Sequence, residues 1–214
     1  MEQPPPSRPS ATPPPPRTHP PTLHRAGRSP SAVAIFVAAT LAVLVGDLAL
    51  KYVAFRTVAG QPVELDAAEP RAAAIPEHEA VEVIPHVLSL QLTLNEGAVF
   101  GLGQGGRWVF IVVSVVAVVV ILHIFRRSRA DAWVFHLGLA LILGGALGNL
   151  YDRVRYGAVR DMLFLFPDVR VFGYRPWPYI FNLADAALMV GVGLVIVIMW
   201  VNELRQRNAE AASR

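Results

Sequence analysis

The 214-residue chain has no cysteine, which excludes disulfides, thiolate metal sites, cysteine nucleophiles and attachment of a lipid to the chain through a thiol. Charge is scarce as well. Asp, Glu, Lys and Arg make up 16% of the residues against 54% apolar ones, a balance too greasy for an ordinary soluble domain of this size. Lysine occurs once, at Lys51, beside eighteen arginines. His-Glu-x-x-His and Gly-x-Ser-x-Gly motifs are both missing, which removes the usual zinc and serine routes to hydrolysis. The six histidines fall in the N-terminal segment, a loop or the ends of apolar runs, without metal-ligand spacing. No metal and no cofactor is expected. The net charge of +3 comes from arginines spread between apolar runs and tails, so no basic helical face suited to nucleic acid is formed.

What the chain does have is long apolar runs. Residues 32–50, 108–125, 132–150 and 181–201 each approach the roughly 20 residues that a helix needs to cross about 30 Å of hydrocarbon. Trp108, Trp133, Trp177 and Trp200 stand at or just outside the ends of these runs, where amphipathic rings prefer to sit. The first run follows some thirty residues and has Asp47 and Lys51 where a small-residue cleavage site would be needed, so it reads as an uncleaved anchor. The fold class predicted is an all-α membrane protein of four transmembrane helices with a small extracytoplasmic β element.

Residues 1–30 hold eleven of the eighteen prolines and almost nothing to bury, which predicts a disordered, extended tail. The four-span membrane unit then runs over 31–203, and 204–214 forms a second tail. Between the first two runs, the stretch 56–107 is too long for a hairpin connection. It contains alternating segments at Val81 to Ile84 and Leu88 to Leu94, read as strands of a β element on the outer membrane surface. With both termini inside, cytoplasmic segments carry ten Lys and Arg and external ones nine. The short arginine-rich linker Arg126 to Arg129 and the arginines before the first run decide for cytoplasmic termini.

Ionisable groups at membrane depth cost about 2.5 to 3.5 kcal/mol each on insertion scales, so they need a reason. Asp47 and Lys51 are spaced i, i+4 on one helix face, as an interfacial ion pair would be. Asn95-Glu96-Gly97-Ala98-Val99-Phe100-Gly101 reads as a tight turn with exposed backbone. Gly144 and Gly148 form a small-xxx-small pair that admits a neighbouring helix. Asn149, Asp152 and Arg153 project together from the last turn of the third span if it stays helical, suited to mutual pairing. Asp161 lies in apolar company with no obvious local partner except Arg160, so its pKa is expected to be perturbed. Phe181-Asn182-Leu183-Ala184-Asp185 opens the fourth span, with Asp185 also suited to a helix N-terminus. Asp161 and Asp185 are expected at the outer ends of adjacent helices.

Two carboxylates held close share a proton, so one can act as base and the other as acid. That is sufficient for amide hydrolysis without metal or nucleophile. These residues resemble the bacterial lipoprotein signal peptidases, or signal peptidase II, in four ordered motifs across about residues 32–201. The resemblance implies that Asp161 and Asp185 are the catalytic dyad. It also implies that Asn149, Asp152, Arg153 and Asn182 support the dyad and that Asp47, Lys51 and Asn95 shape the site, with Gly97 and Ala184 in its motifs. The implied substrate is a prolipoprotein signal peptide, cut just before a cysteine carrying diacylglycerol, in the bacterial cytoplasmic (inner) membrane. Membrane lipids are the other expected partner, and a monomer is the expected state. Leu50 and Met162 stand where Ser or Thr and Phe are common in that family, and residues 1–30 and about 57–80 look like additions. Two other readings are a transporter or channel subunit, with carboxylates spaced through the membrane depth, and a structural anchor for the proline-rich tail.

Overall fold

The computed structural model describes residues 25–65, 74–97 and 106–213. The greater part of the proline-rich tail, the Ala98 to Gly101 part of the second motif and the middle of the 57–80 addition lie outside these residues. A single 3-10 turn, Ala26–Arg28, precedes four long helices: α1 Pro30–Thr57, α2 Arg107–Arg127, α3 Trp133–Tyr156 and α4 Leu183–Ala212. All four are long and apolar enough to cross a membrane.

Local chemistry sets the ends of these helices. Ser29 caps α1, its hydroxyl accepting from Ala32 N at 3.4 Å, and Pro30 occupies the first turn, where a missing N–H costs nothing. Gly157, at φ 81°, ends α3 in the left-handed conformation typical of a C′ residue. The valine-rich α2 would favour a strand in water. In hydrocarbon, a helix satisfies every backbone group within one segment, and that requirement wins.

The helices overrun the apolar runs at several ends. α1 continues through Lys51 and Arg56, α3 through Asp152, Arg153 and Arg155, and α4 through residues expected to form a separate tail. Hydropathy falls where charge begins, but Lys51, Asp152 and Arg153 are buried among partners and the helix need not stop there.

α3 is the least apolar and most buried of the four and packs against the other three. Its glycines make this possible. A Cβ on Gly144 would stand 2.7 Å from Val43 Cβ of α1, and one on Gly145 would collide with the Ala184 carbonyl of α4. Towards the start of α1, Phe36 and Phe125 stack with ring centroids 4.0 Å apart, and His136 meets Phe125 edge-on.

At the opposite end sits an antiparallel sheet of order β1-β2-β3-β4, formed by Val81–Ile84, Leu88–Asn95, Val159–Leu165 and Ile180–Phe181. Leu92, Leu94 and Met162 pack with Ala54, Phe55 and Val58, which fastens the sheet to the end of α1. The sheet thus draws strands from both sides of the helical chain segments, not from 56–107 alone.

Candidate active site

Asp161 lies on β3, and this corrects its expected place at a helix end. Pairing of β2 with β3 sets Thr93 opposite Asp161 and Asn95 opposite Val159, so Asn95 is a diagonal neighbour of Asp161 on the same face. Asn95 Nδ2 donates to Asp161 Oδ2 at 3.2 Å. The Asn95 Oδ1 accepts from Gly97 N at 3.0 Å, the local turn that its sequence suggests. Asn182 Nδ2 donates to Asp161 Oδ1 at 2.6 Å. Asp161 is 1% exposed, and its hydrogen bonds run to two asparagines rather than to Arg160.

Asp185 is in the first turn of α4. Asn182 is the N-cap of that helix, accepting from Asp185 N at 2.9 Å, while Asp185 Oδ2 accepts from Asn182 N at 3.4 Å. This reciprocal capping box orients the Asp185 carboxylate before any other partner is counted. Asn149 Nδ2 then donates to Asp185 Oδ1 at 2.7 Å. The Asn149 Oδ1 accepts from Asn182 Nδ2 and from Lys51 Nζ, each at 3.1 Å. Asn182 therefore touches Asp161, Asp185 and Asn149 at once.

Beneath this pair lies a fully buried ionic cluster. Lys51 Nζ stands 2.7 Å from Asp47 and 3.1 Å from Asp152, and all three side chains are 0% exposed. Asp47 Oδ1 also accepts from Ala184 N at 2.9 Å, which ties α1 to the first turn of α4. Gly148 leaves the room that Asp47 occupies against α3.

Asp152 does not pair with Arg153, as their spacing suggested. It accepts from Arg160, side chain at 2.8 Å and backbone N at 3.0 Å. Arg153 instead donates to the Gly97 carbonyl at 2.7 Å and lies over the Phe110 ring. Arg160 is the group that the motifs did not single out. Arg160 and Asp161 are successive residues of β3, and successive strand side chains point to opposite faces, so Arg160 takes Asp152 rather than its neighbour.

Asp47, Asp152, Asp161 and Asp185 gather in one network at one end of the bundle. A proton or cation path would distribute them through the membrane depth. Among the described residues, the one His and carboxylate cluster close enough for a metal, Glu82, His86 and Asp168, is surface-exposed and shares no residue with this network.

Burial, and then the neighbouring Asp185 charge, push the Asp161 carboxyl up to about 8, against a downward pull from the Asn182 and Asn95 amides. A raised carboxyl holds its proton in the folded chain at a pH where the unfolded chain releases it. Its contribution to stability is therefore full below the ordinary value of 3.8 and is lost as pH rises through about 8. The Asp161→Asn chain, which has no proton to lose there, should gain a few degrees in Tm over the parent at the upper end of this window and little at the lower end. Thermal unfolding in detergent followed by tryptophan fluorescence measures this. A gain that shrank with rising pH would show that Asp161 is not raised.

The chain matches the family described as Signal peptidase (SPase) II over residues 39–201. It is 39% identical over 132 residues to a lipoprotein signal peptidase of Desulfitobacterium hafniense (strain DSM 10664 / DCB-2), covering 62% of this chain and 82% of that one. A lipoprotein signal peptidase of Listeria monocytogenes serotype 4b is 36% identical over 130 residues, covering 61% and 80%. Among solved structures, a bacterial membrane enzyme determined by the in meso method at 2.3 Å superposes with a TM-score of 0.62 at 26% identity, covering 80% of this chain and 90% of that one.

Proposed function

We propose, because this chain belongs to the signal peptidase II family, that Asp161 and Asp185 are the acid–base pair with which it removes the signal peptide of a prolipoprotein. The family makes the chain a multi-pass membrane peptidase. The observation that carries the assignment is Asn182, whose side chain binds Asp161 while its cap geometry fixes Asp185. Two buried carboxylates tied to one asparagine share a proton near neutral pH.

In that state the ionised carboxylate takes a proton from a water molecule as its oxygen attacks the scissile carbonyl. The protonated carboxyl hydrogen-bonds the developing oxyanion. Collapse of the tetrahedral intermediate breaks the C–N bond, and the leaving nitrogen receives a proton from the pair. The products are a signal peptide with a new carboxylate and a lipoprotein with a free amino terminus at its cysteine. The pair acts as a unit, so the roles of base and acid belong to both aspartates.

The substrate is the prolipoprotein already carrying diacylglycerol on that cysteine. A lipidated chain arrives from within the bilayer, and a site where a sheet meets the ends of four spans gives lipid and water access together. Both termini lie on the cytoplasmic side and the dyad on the outer side of the bacterial inner membrane, a reading supported by the arginines at 25, 28, 126, 127 and 129 at the other end of the bundle. The chain acts as a monomer.

The test uses the full chain in lipid, given one prolipoprotein with and without diacylglycerol, in water enriched in heavy oxygen. Cleavage of the lipidated form alone is expected, before its cysteine, with one heavy oxygen in the released peptide carboxylate. Equal cleavage of the unlipidated form would remove the substrate assignment. A trapped acyl-enzyme would remove direct water attack.

A further inference from the structure

At the end of the bundle remote from the dyad, the 3-10 turn Ala26–Arg28 lies across the C-terminal end of α2. Ala26 N donates to the Ser128 carbonyl at 2.9 Å, and Arg25 forms an antiparallel bridge with Arg129. Gly27 permits the approach, since a Cβ there would stand 3.1 Å from Arg126 Cα. Between turn and helix opens a cleft of about 490 Å³ lined by Arg25, Arg28, His123, Arg126 and Arg127.

The four arginines share this one cleft. Among the described residues none of them forms an ion pair, whereas Arg129, Arg160 and Arg207 each do. Convergent guanidiniums repel one another unless an anion lies between them, and their planar forks suit phosphate oxygens in particular. The remaining wall is apolar: Val119 and Leu122 also line the cleft and are 62% and 40% exposed on the outer face of a spanning helix. A charged mouth that continues into a hydrocarbon-facing wall matches a molecule with a phosphate at one end and an acyl chain at the other. From Pro30 to Lys51, which belongs to the buried network, the rise along α1 at 1.5 Å per residue is about 30 Å, a full hydrocarbon thickness. The cleft therefore meets the leaflet opposite the dyad.

We propose that this cleft binds the phosphodiester headgroup of an anionic phospholipid, with its first acyl carbons along Val119 and Leu122. Basic pockets between spanning helices hold such headgroups by charge and fit together. The apolar wall favours a lipid over free phosphate, because a soluble anion would gain nothing from it. The occupied cleft clamps the turn before α1 to the end of α2, so it fixes the two helices at this surface and contributes to stability, with no part in peptide cleavage.

The experiment takes the full chain, stripped of lipid in a non-ionic detergent, and follows thermal unfolding by tryptophan fluorescence. The probes are dioleoylphosphatidylglycerol, dioleoylphosphatidylcholine and inorganic phosphate. A saturable rise in Tm is expected with phosphatidylglycerol and not with the other two. Arg28→Gln and Arg126→Gln should each weaken the apparent affinity by about fivefold, Arg126→Lys by less, and Arg170→Gln, at the sheet end of the molecule, not at all. Cleavage rates at saturating lipid should be unchanged in all of them. Should either Gln variant fail to fold, the other one and Arg126→Lys decide the matter. An equal response to phosphatidylcholine, a response retained in the Gln variants, or its full reproduction by inorganic phosphate would each overturn the proposal.

Discussion

Asparagine at either Asp161 or Asp185 is expected to lower turnover of a diacylglyceryl prolipoprotein by about a thousandfold or more, while the substrate still binds. Asparagine keeps the shape of the carboxyl but can neither accept the proton of the attacking water nor deliver one to the leaving nitrogen. The exchange removes a charge without changing side-chain volume, so the loss should fall on kcat and leave KM near its parent value. The two variants differ in their structural cost. At Asp161 the replacement removes a buried group that burial makes hard to ionise. At position 185 it leaves the bond from Asn182 N, 3.4 Å long, to an amide oxygen, a weaker acceptor. With the two aspartates acting as one unit, as proposed, the double variant should lose little beyond either single one. Either single variant turning over near the parent rate, with its unfolding intact, would take that residue out of the dyad.

Lys51→Met should destabilise the bundle by about 3 to 5 kcal/mol. The ammonium lies between Asp47 and Asp152 with none of the three side chains exposed, so its removal leaves two buried anions facing each other. Asp152 retains Arg160, but Asp47 retains only the Ala184 N–H. The effect reaches the site, because Lys51 also donates to Asn149 Oδ1, and Asn149 holds Asp185. Turnover should fall with stability for that reason. Adding Asp47→Asn to Lys51→Met removes the stranded charge and should recover a large part of the loss, which identifies burial of an unpaired anion as the cause. Unfolding of the three variants in increasing denaturing detergent measures this, and a Lys51→Met chain as stable as the parent would contradict it.

The helices could be read from the sequence because hydrocarbon leaves no other arrangement for long apolar runs. Their ends could not, since Lys51, Asp152 and Arg153 are charged yet remain inside the fold, and their partners are distant in the chain. β1 and most of β2 show alternation and were legible at Val81 to Ile84 and Leu88 to Leu94. β3 was not. Its residues from Val159 to Met162 are all buried, so no period of two survives to be read. Its strand character comes from pairing with β2, a partner more than sixty positions earlier in the chain.

The same distinction holds for the site. Asp47, Lys51, Asn149, Asp161, Asn182 and Asp185 stood out because polar groups in apolar surroundings are costly. Which partner each one takes depends on how the elements close together. Thus Arg153, adjacent to Asp152, reaches Gly97 instead, and Arg160, adjacent to Asp161, goes to Asp152.

The single lysine has a consequence outside energetics. Its ammonium is the only side-chain amine of the protein and is wholly enclosed, so acylating reagents and lysine-directed proteases find no side-chain target on the folded molecule. Modification at that address becomes possible only when α1 separates from α3, which makes the amine a built-in reporter of whether the bundle is closed.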